Sequence, residues 1–149
     1  YKHMLETLPE FNASLDKIAM YIAQRDHSEL ELKTKLSRKF DQKTIEKSLA
    51  KAKSLGWLKT PQELSQKVAA RLDEKYKGHL AIANYLRRKG LPIRPLSEQQ
   101  EIEKCRELLD IKFANWPSFS YEEKQRVARF LKNRGFLDTT IMKVFYEDK

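Results

Sequence analysis

Ile82-Ala83-Asn84-Tyr85-Leu86-Arg87-Arg88-Lys89-Gly90 is the stretch from which the rest of the chain can be read. Ile82 and Leu86 stand four residues apart, so in a helix they share one face. Three cations and a glycine follow, which is the composition of a last helical turn and its stop. The same plan recurs on either side: Leu32 and Leu36 precede Ser37-Arg38-Lys39-Phe40, and Val127 and Leu131 precede Lys132-Asn133-Arg134-Gly135. The closing leucines Leu36, Leu86 and Leu131 lie 50 and 45 residues apart. A period of that length, holding about three helices, marks a small helical array whose units share surface because each is too small to bury a core alone.

Working outward, helix starts and stops recur at matching intervals. Ser28, Ser97 and Ser120 each have a carboxylate or amide three residues on, the capping-box pattern, and Thr60-Pro61-Gln62-Glu63 adds proline at the first helical position. Asp41 and Asp138 read as further caps, and Gly56, Gly90 and Gly135 as stops, with Gly78 turning between two helices. Between these marks apolar residues keep a spacing of three or four: Leu15, Ile18 and Ile22; Ile45, Leu49 and Ala52; Leu64, Val68, Leu72 and Tyr76; Ile102, Cys105, Leu109 and Phe113; Ile141, Val144 and Phe145. No segment alternates with period two for long enough to form a strand. The expected fold is all-α: tandem three-helix repeats in an extended, curved array, the middle repeat truncated. Residues 1–13 read as a tag remnant (Tyr1-Lys2-His3-Met4) and an irregular tail carrying Pro9. Residues 14–59, 60–96 and 97–149 read as repeats 1, 2 and 3. Pro92 and Pro95 leave repeat 2 with a third helix missing or short.

Composition narrows the function. Lys plus Arg number 30 against 21 Asp plus Glu, a formal charge of +9. All of that excess falls in residues 1–95, because residues 96–149 hold ten basic and ten acidic side chains. An anionic partner contacted mainly by the first two-thirds would produce such asymmetry, as would a lysine-rich solvated surface. The longest run without Asp, Glu, Lys or Arg is nine residues, half the ~18 that a membrane-spanning helix needs. A single cysteine, Cys105, forms no internal disulfide and suits a reducing cytoplasm. Four glycines and the absence of GxGxxG and GxxxxGK[ST] leave nucleotide-cradling folds without footing.

Arg25-Asp26-His27-Ser28-Glu29-Leu30-Glu31-Leu32-Lys33-Thr34-Lys35-Leu36 resembles the R-x-H-S-x-x-E-L-x-x-K-L opening motif of the RecX family of recombination regulators. Gly56-Trp57-Leu58 resembles the family's inter-repeat junction, and Tyr85–Leu91 its middle-repeat helix. Lys124–Phe136, ending in Arg134-Gly135-Phe136, is similar to the last-repeat signature. The resemblance covers roughly Leu15 to Tyr146. It implies tandem three-helix repeats that lie in the groove of RecA filaments on single-stranded DNA and block filament growth or promote its loss. ATP hydrolysis, strand exchange and the coprotease activity behind the SOS response would thereby be restrained. It further implies no enzymatic activity; beside it, the expectations are no cofactor, a cytoplasmic monomer, and contact with single-stranded DNA that is weak or made through the filament. The chain departs from the family's pattern at Lys59-Thr60-Pro61-Gln62-Glu63-Leu64, where two aspartates and an aromatic are usual, and at the short segment Leu91–Leu96.

The residues expected to grip the partner are the basic turns: Arg38 and Lys39; Arg87, Arg88 and Lys89; Lys132 and Arg134. Arginine holds phosphate or carboxylate through two parallel hydrogen bonds and lysine acts as a point charge, so cations repeated at intervals suit a repeating anionic track. The alternative is that they only offset helix dipoles. Arg126 and Arg129 read as ordinary surface charges, His27 as a junction residue on its helix start, Cys105, Tyr85 and Phe130 as core, and Trp57 and Trp116 as packing at helix junctions. No His, Cys or carboxylate spacing suggests a metal site or a nucleophile with its base. A recombinase-filament regulator leads; a basic DNA-binding helical module and a scaffold for an acidic protein are the competing readings.

Overall fold

The computed structural model describes residues 2–147, with side chains from residue 8 onward. Every regular element among them is helical. The chain divides into two compact units: residues up to Leu64 with Lys89–Pro92, and Ser65–Arg88 with Ile93 onward.

The first unit holds α1 (Lys2–Gln24), α2 (Glu29–Leu36), α3 (Gln42–Ser54) and the opening turn of α4 (Pro61–Glu74). Ile18, Leu32, Leu36, Ile45, Leu49 and Ala52 form its core, ringed by Leu15, Tyr21, Ile22, Phe40 and Leu58. All but Tyr21, Phe40 and Leu58 are positions that the three-and-four spacing put on one face. α1 packs along α3, and at that contact the fully buried hydroxyls of Ser14 and Ser48 lie 2.7 Å apart, satisfying each other. The segment Leu5–Ala13, expected as an irregular tail, belongs to α1, which runs through Pro9. A proline removes one amide donor and crowds the preceding turn. Here the helix continues through an exposed turn ahead of the stretch from Ser14 that packs on α3.

Local signals fixed the helix ends where they could act within four residues. Ser28 and Ser120 form complete capping boxes with Glu31 and Glu123, and Asp41 accepts from the Thr44 amide at 2.8 Å. Thr60 and Glu63 exchange the same pair of contacts ahead of α4. Two expectations fail. Ser97 makes no side-chain cap, because its backbone leaves the extended Leu91–Leu96 segment at φ −112° and ψ 102° and its hydroxyl is not aimed at the helix. Asp138 is the first helical residue of its helix, with Leu137 in the cap position.

The second unit holds the rest of α4, α5 (His79–Arg88), α6 (Glu98–Lys112), a 3-10 turn (Trp116–Ser118), α7 (Tyr121–Asn133), α8 (Asp138–Met142) and a closing π-helical turn (Lys143–Glu147). Its core gathers Cys105, Leu108, Leu109, Trp116, Val127, Leu131, Phe136, Ile141, Val144 and Phe145. A backbone joint ties the start of α5 to the end of α7. Gly78 donates to the Arg134 carbonyl at 2.8 Å and Leu80 to the Gly135 carbonyl at 2.9 Å. A β-carbon on Gly78 would lie 2.3 Å from the Gly135 carbonyl carbon, so only glycine permits the approach. Residues 91–97, with two prolines, form no helix.

Candidate partner-binding surface

The three basic turns differ in what the fold leaves them to do. After α2, Arg38 and Lys39 are exposed and make no ion pair or side-chain hydrogen bond among the described residues. At the end of α5, Arg87 donates to Asn84 Oδ1 at 2.8 Å and Arg88 lies 5.9 Å from the centre of the Tyr85 ring; both stay exposed and neither meets a carboxylate among the described residues. Lys89 turns inward to Glu31 Oε2 at 3.1 Å. After α7, Lys132 pairs with Asp138 at 3.0 Å in the open. Arg134 is half-buried, donating from Nε to the Tyr76 carbonyl at 3.1 Å and from its terminal nitrogen to the Lys75 carbonyl, with Phe130 beneath its guanidinium. Those carbonyls close the turn after α4, where Tyr76 has φ +58°, so Arg134 acts as a helix cap supplied from elsewhere in the unit. Because α5 begins against the turn that ends α7, Arg87 and Arg88 lie about 14 Å along the α5 axis from it.

Two charge clusters lay outside the sequence reading. In the first unit, Glu31 receives Arg25 at 2.8 Å, the Ser28 amide at 3.2 Å and Lys89. Burial works against its negative charge, but these donors outweigh it and hold the carboxyl down at about 2. Beside it, His27 is buried between the Arg25 carbonyl and the Lys35 ammonium, at 3.0 and 2.8 Å, and desolvation pushes its pKa below the ordinary value. In the second unit, Asp73 accepts both guanidinium nitrogens of Arg94, at 2.6 and 2.9 Å, and Lys104 at 2.8 Å. Burial of Asp73 opposes its charge, and the two cations overcome that and lower its pKa. Lys104 also meets Glu101 at 2.6 Å, and Glu101 accepts the His79 amide at 2.8 Å. The signal available in sequence was Glu101 and Lys104 standing in the same helical stripe as Cys105, Leu108 and Leu109. This cluster floors an open cavity of about 570 Å³ whose acidic walls include Glu74, Glu103 and Glu107.

Cys105 is buried in the core, where desolvation pushes its thiol up to about 12, far from a working nucleophile. Trp116 is buried, donating to Asp110 at 2.7 Å and packing on Phe145. Trp57 departs from the packing expected of it: it is 37% exposed, its chain having reversed at Gly56. Tyr85 and Phe130 are half-buried, and Arg126 and Arg129 exposed. Among the described residues no cluster of three or more His, Cys, Asp or Glu could hold a metal ion, and no helix is long and apolar enough to cross a membrane.

No family model matches the chain. It is 31% identical over 130 residues to the regulatory protein RecX of Chlorobaculum tepidum, an alignment covering 84% of this chain and 81% of that protein. It is 29% identical over 143 residues to regulatory protein RecX of Legionella pneumophila, covering 91% and 95%. A crystal structure of a regulatory protein RecX superposes with a TM-score of 0.77 over 98% of this chain and 77% of the other, at 15% identity.

Proposed function

This chain is a member of the RecX family of regulatory proteins, and from that premise we propose that it restrains the RecA recombinase by binding the filament that RecA forms on single-stranded DNA. The binding groups are those cations of the basic turns that meet no carboxylate among the described residues: Arg38 and Lys39 after α2, and Arg87 and Arg88 at the end of α5. Lys132, held only by an exposed pair, is a fifth. That four cations at corresponding ends of two helices are exposed and meet no carboxylate is the observation that carries the reading. Arginine forks and lysine point charges can hold the carboxylates and phosphates of a repeating anionic track. Bound in the filament groove, the protein blocks addition of further RecA subunits by occupancy, and ATP hydrolysis and coprotease activity fall with the filament. It acts as a cytoplasmic monomer, without catalysis or cofactor. Residues 14–59, 60–96 and 97–149 serve as its three helical repeats.

Titrating the protein into RecA on single-stranded DNA and following ATP hydrolysis tests this. Inhibition at micromolar concentration is expected. Arg87→Glu with Arg88→Glu lowers filament affinity about tenfold or more at unchanged helicity. Unimpaired hydrolysis, together with salt-steep binding to naked duplex, would replace this reading with a plain DNA-binding module.

A further inference from the structure

Along α3 a second row of cations stands apart from the basic turns. Lys43, Lys47 and Lys51 follow at intervals of four residues, so they climb one side of the helix about 6 Å apart. All three are exposed, and none makes an ion pair or side-chain hydrogen bond among the described residues. Three other lysines of the same unit are paired, Lys53 with Glu29, Lys59 with Asp26 and Lys89 with Glu31. Of the nearby carboxylates, Asp41 caps the Thr44 amide and feels the charges of Lys43 and Lys47 without an ion pair to either, and Glu46 accepts from Gln42 at 3.1 Å.

This arrangement works against the helix that carries it. Like charges four residues apart weaken a helix, and Lys43 stands in a first turn without any acid, at the end where the dipole repels cations. The outward face between the lysines is Ala50 and Ser54, while Thr44, Ile45, Ser48, Leu49 and Ala52 face the core. A protein partner would call for an aromatic or apolar anchor in a pocket, and lysine is depleted from such interfaces. A nucleic-acid backbone calls for evenly spaced point charges over a surface low enough to approach.

We infer that the Lys43–Lys47–Lys51 row is a track for the phosphodiester backbone of a nucleic-acid strand, held without regard to base sequence and without the recombinase. The inference stands apart from the filament reading, and its test contains no RecA. Fluorescence anisotropy of labelled oligothymidylate is followed across a sodium chloride series. The triple variant Lys43→Gln, Lys47→Gln, Lys51→Gln loses at least tenfold in affinity at low salt, and its log–log salt slope becomes shallower by about 2. Replacing the same three by arginine keeps both values. Lys53→Gln, on the same helix but paired with Glu29, leaves the slope within about half a unit. Wild-type affinity and slope in the triple glutamine variant would overturn the inference, as would an equal loss in the arginine variant.

Discussion

The turn that follows α2 and the turn that follows α7 are written almost alike, an inward leucine and then two cations, yet they end in opposite roles. Arg38 and Lys39 are exposed and make no ion pair or side-chain hydrogen bond among the described residues. Arg134 is drawn in because the turn after α4 presents the Lys75 and Tyr76 carbonyls beside it, and Lys132 finds Asp138 at the start of the next helix. The turn after α5 is split between the two outcomes, Arg87 and Arg88 outward and Lys89 on Glu31. A basic helix end is therefore a surface for partners only where the fold brings no acceptor within reach. Such an acceptor can sit far away in sequence: Tyr76 and Arg134 are separated by 58 residues.

The closed turn should be the fragile one. Gly78→Ala drives a methyl into the Gly135 backbone, which cannot yield as a side chain could, and is expected to cost more than about 3 kcal/mol in urea unfolding. Gly56→Ala, with nothing within 4 Å of the added carbon, costs only the left-handed backbone penalty, about 1–2 kcal/mol. Equal losses at the two glycines would refute the idea of a joint at the end of α7. Next in size, Arg134→Met strips two carbonyls of their donor and should cost about 2 kcal/mol, against under about 0.5 kcal/mol for Arg38→Met.

Glu31 tests the split turn through pH. Its carboxyl is held at about 2, below an ordinary 4.5, so the unfolded chain takes up the proton first as pH falls. Its contribution is complete above about pH 4.5 and is lost on acidification toward pH 2. Glu31→Gln is expected to lower stability at neutral pH by about 1–2 kcal/mol, the gain being discounted for partial exposure of the cluster. The difference from the parent should close between those two pH values. A difference that persists at pH 2 would mean that packing, not the charge cluster, is responsible.

These contrasts also mark how far the sequence could be read. Caps at Ser28, Asp41, Thr60 and Ser120 were legible because donor and acceptor lie within four residues, and the apolar stripes were legible because a helix repeats its faces. The all-helical fold followed from both. Legibility ended where partners meet across the fold. Ser14 with Ser48, Asp73 with Arg94 and Lys104, and Arg134 with the α4 turn are single residues whose meaning depends on elements 21 to 59 positions away. Ser97 failed for a related reason: the cap pattern was present, but the proline-bearing segment before it set the backbone. For the candidate surface, residue type marked all seven cations, and only the fold separated those engaged internally from those left outward.

The smallest stability effects belong to the open turn, and they are the most informative about function. Arg38→Gln with Lys39→Gln changes two exposed side chains that make no ion pair or side-chain hydrogen bond among the described residues, so unfolding in urea should shift by less than about 0.5 kcal/mol. Lys132→Gln should shift it no more, since its pair with Asp138 is exposed at both ends and screened by salt. Stability is therefore not expected to separate the two variants, whereas, on the proposed reading, affinity for the RecA filament is. The Arg38/Lys39 variant is expected to lose severalfold and Lys132→Gln less, because an outward cation with no internal acceptor would meet an anionic partner without first giving up a bond. Equal filament affinities for the two variants would show that the open turn has no privileged part in binding, whatever its exposure.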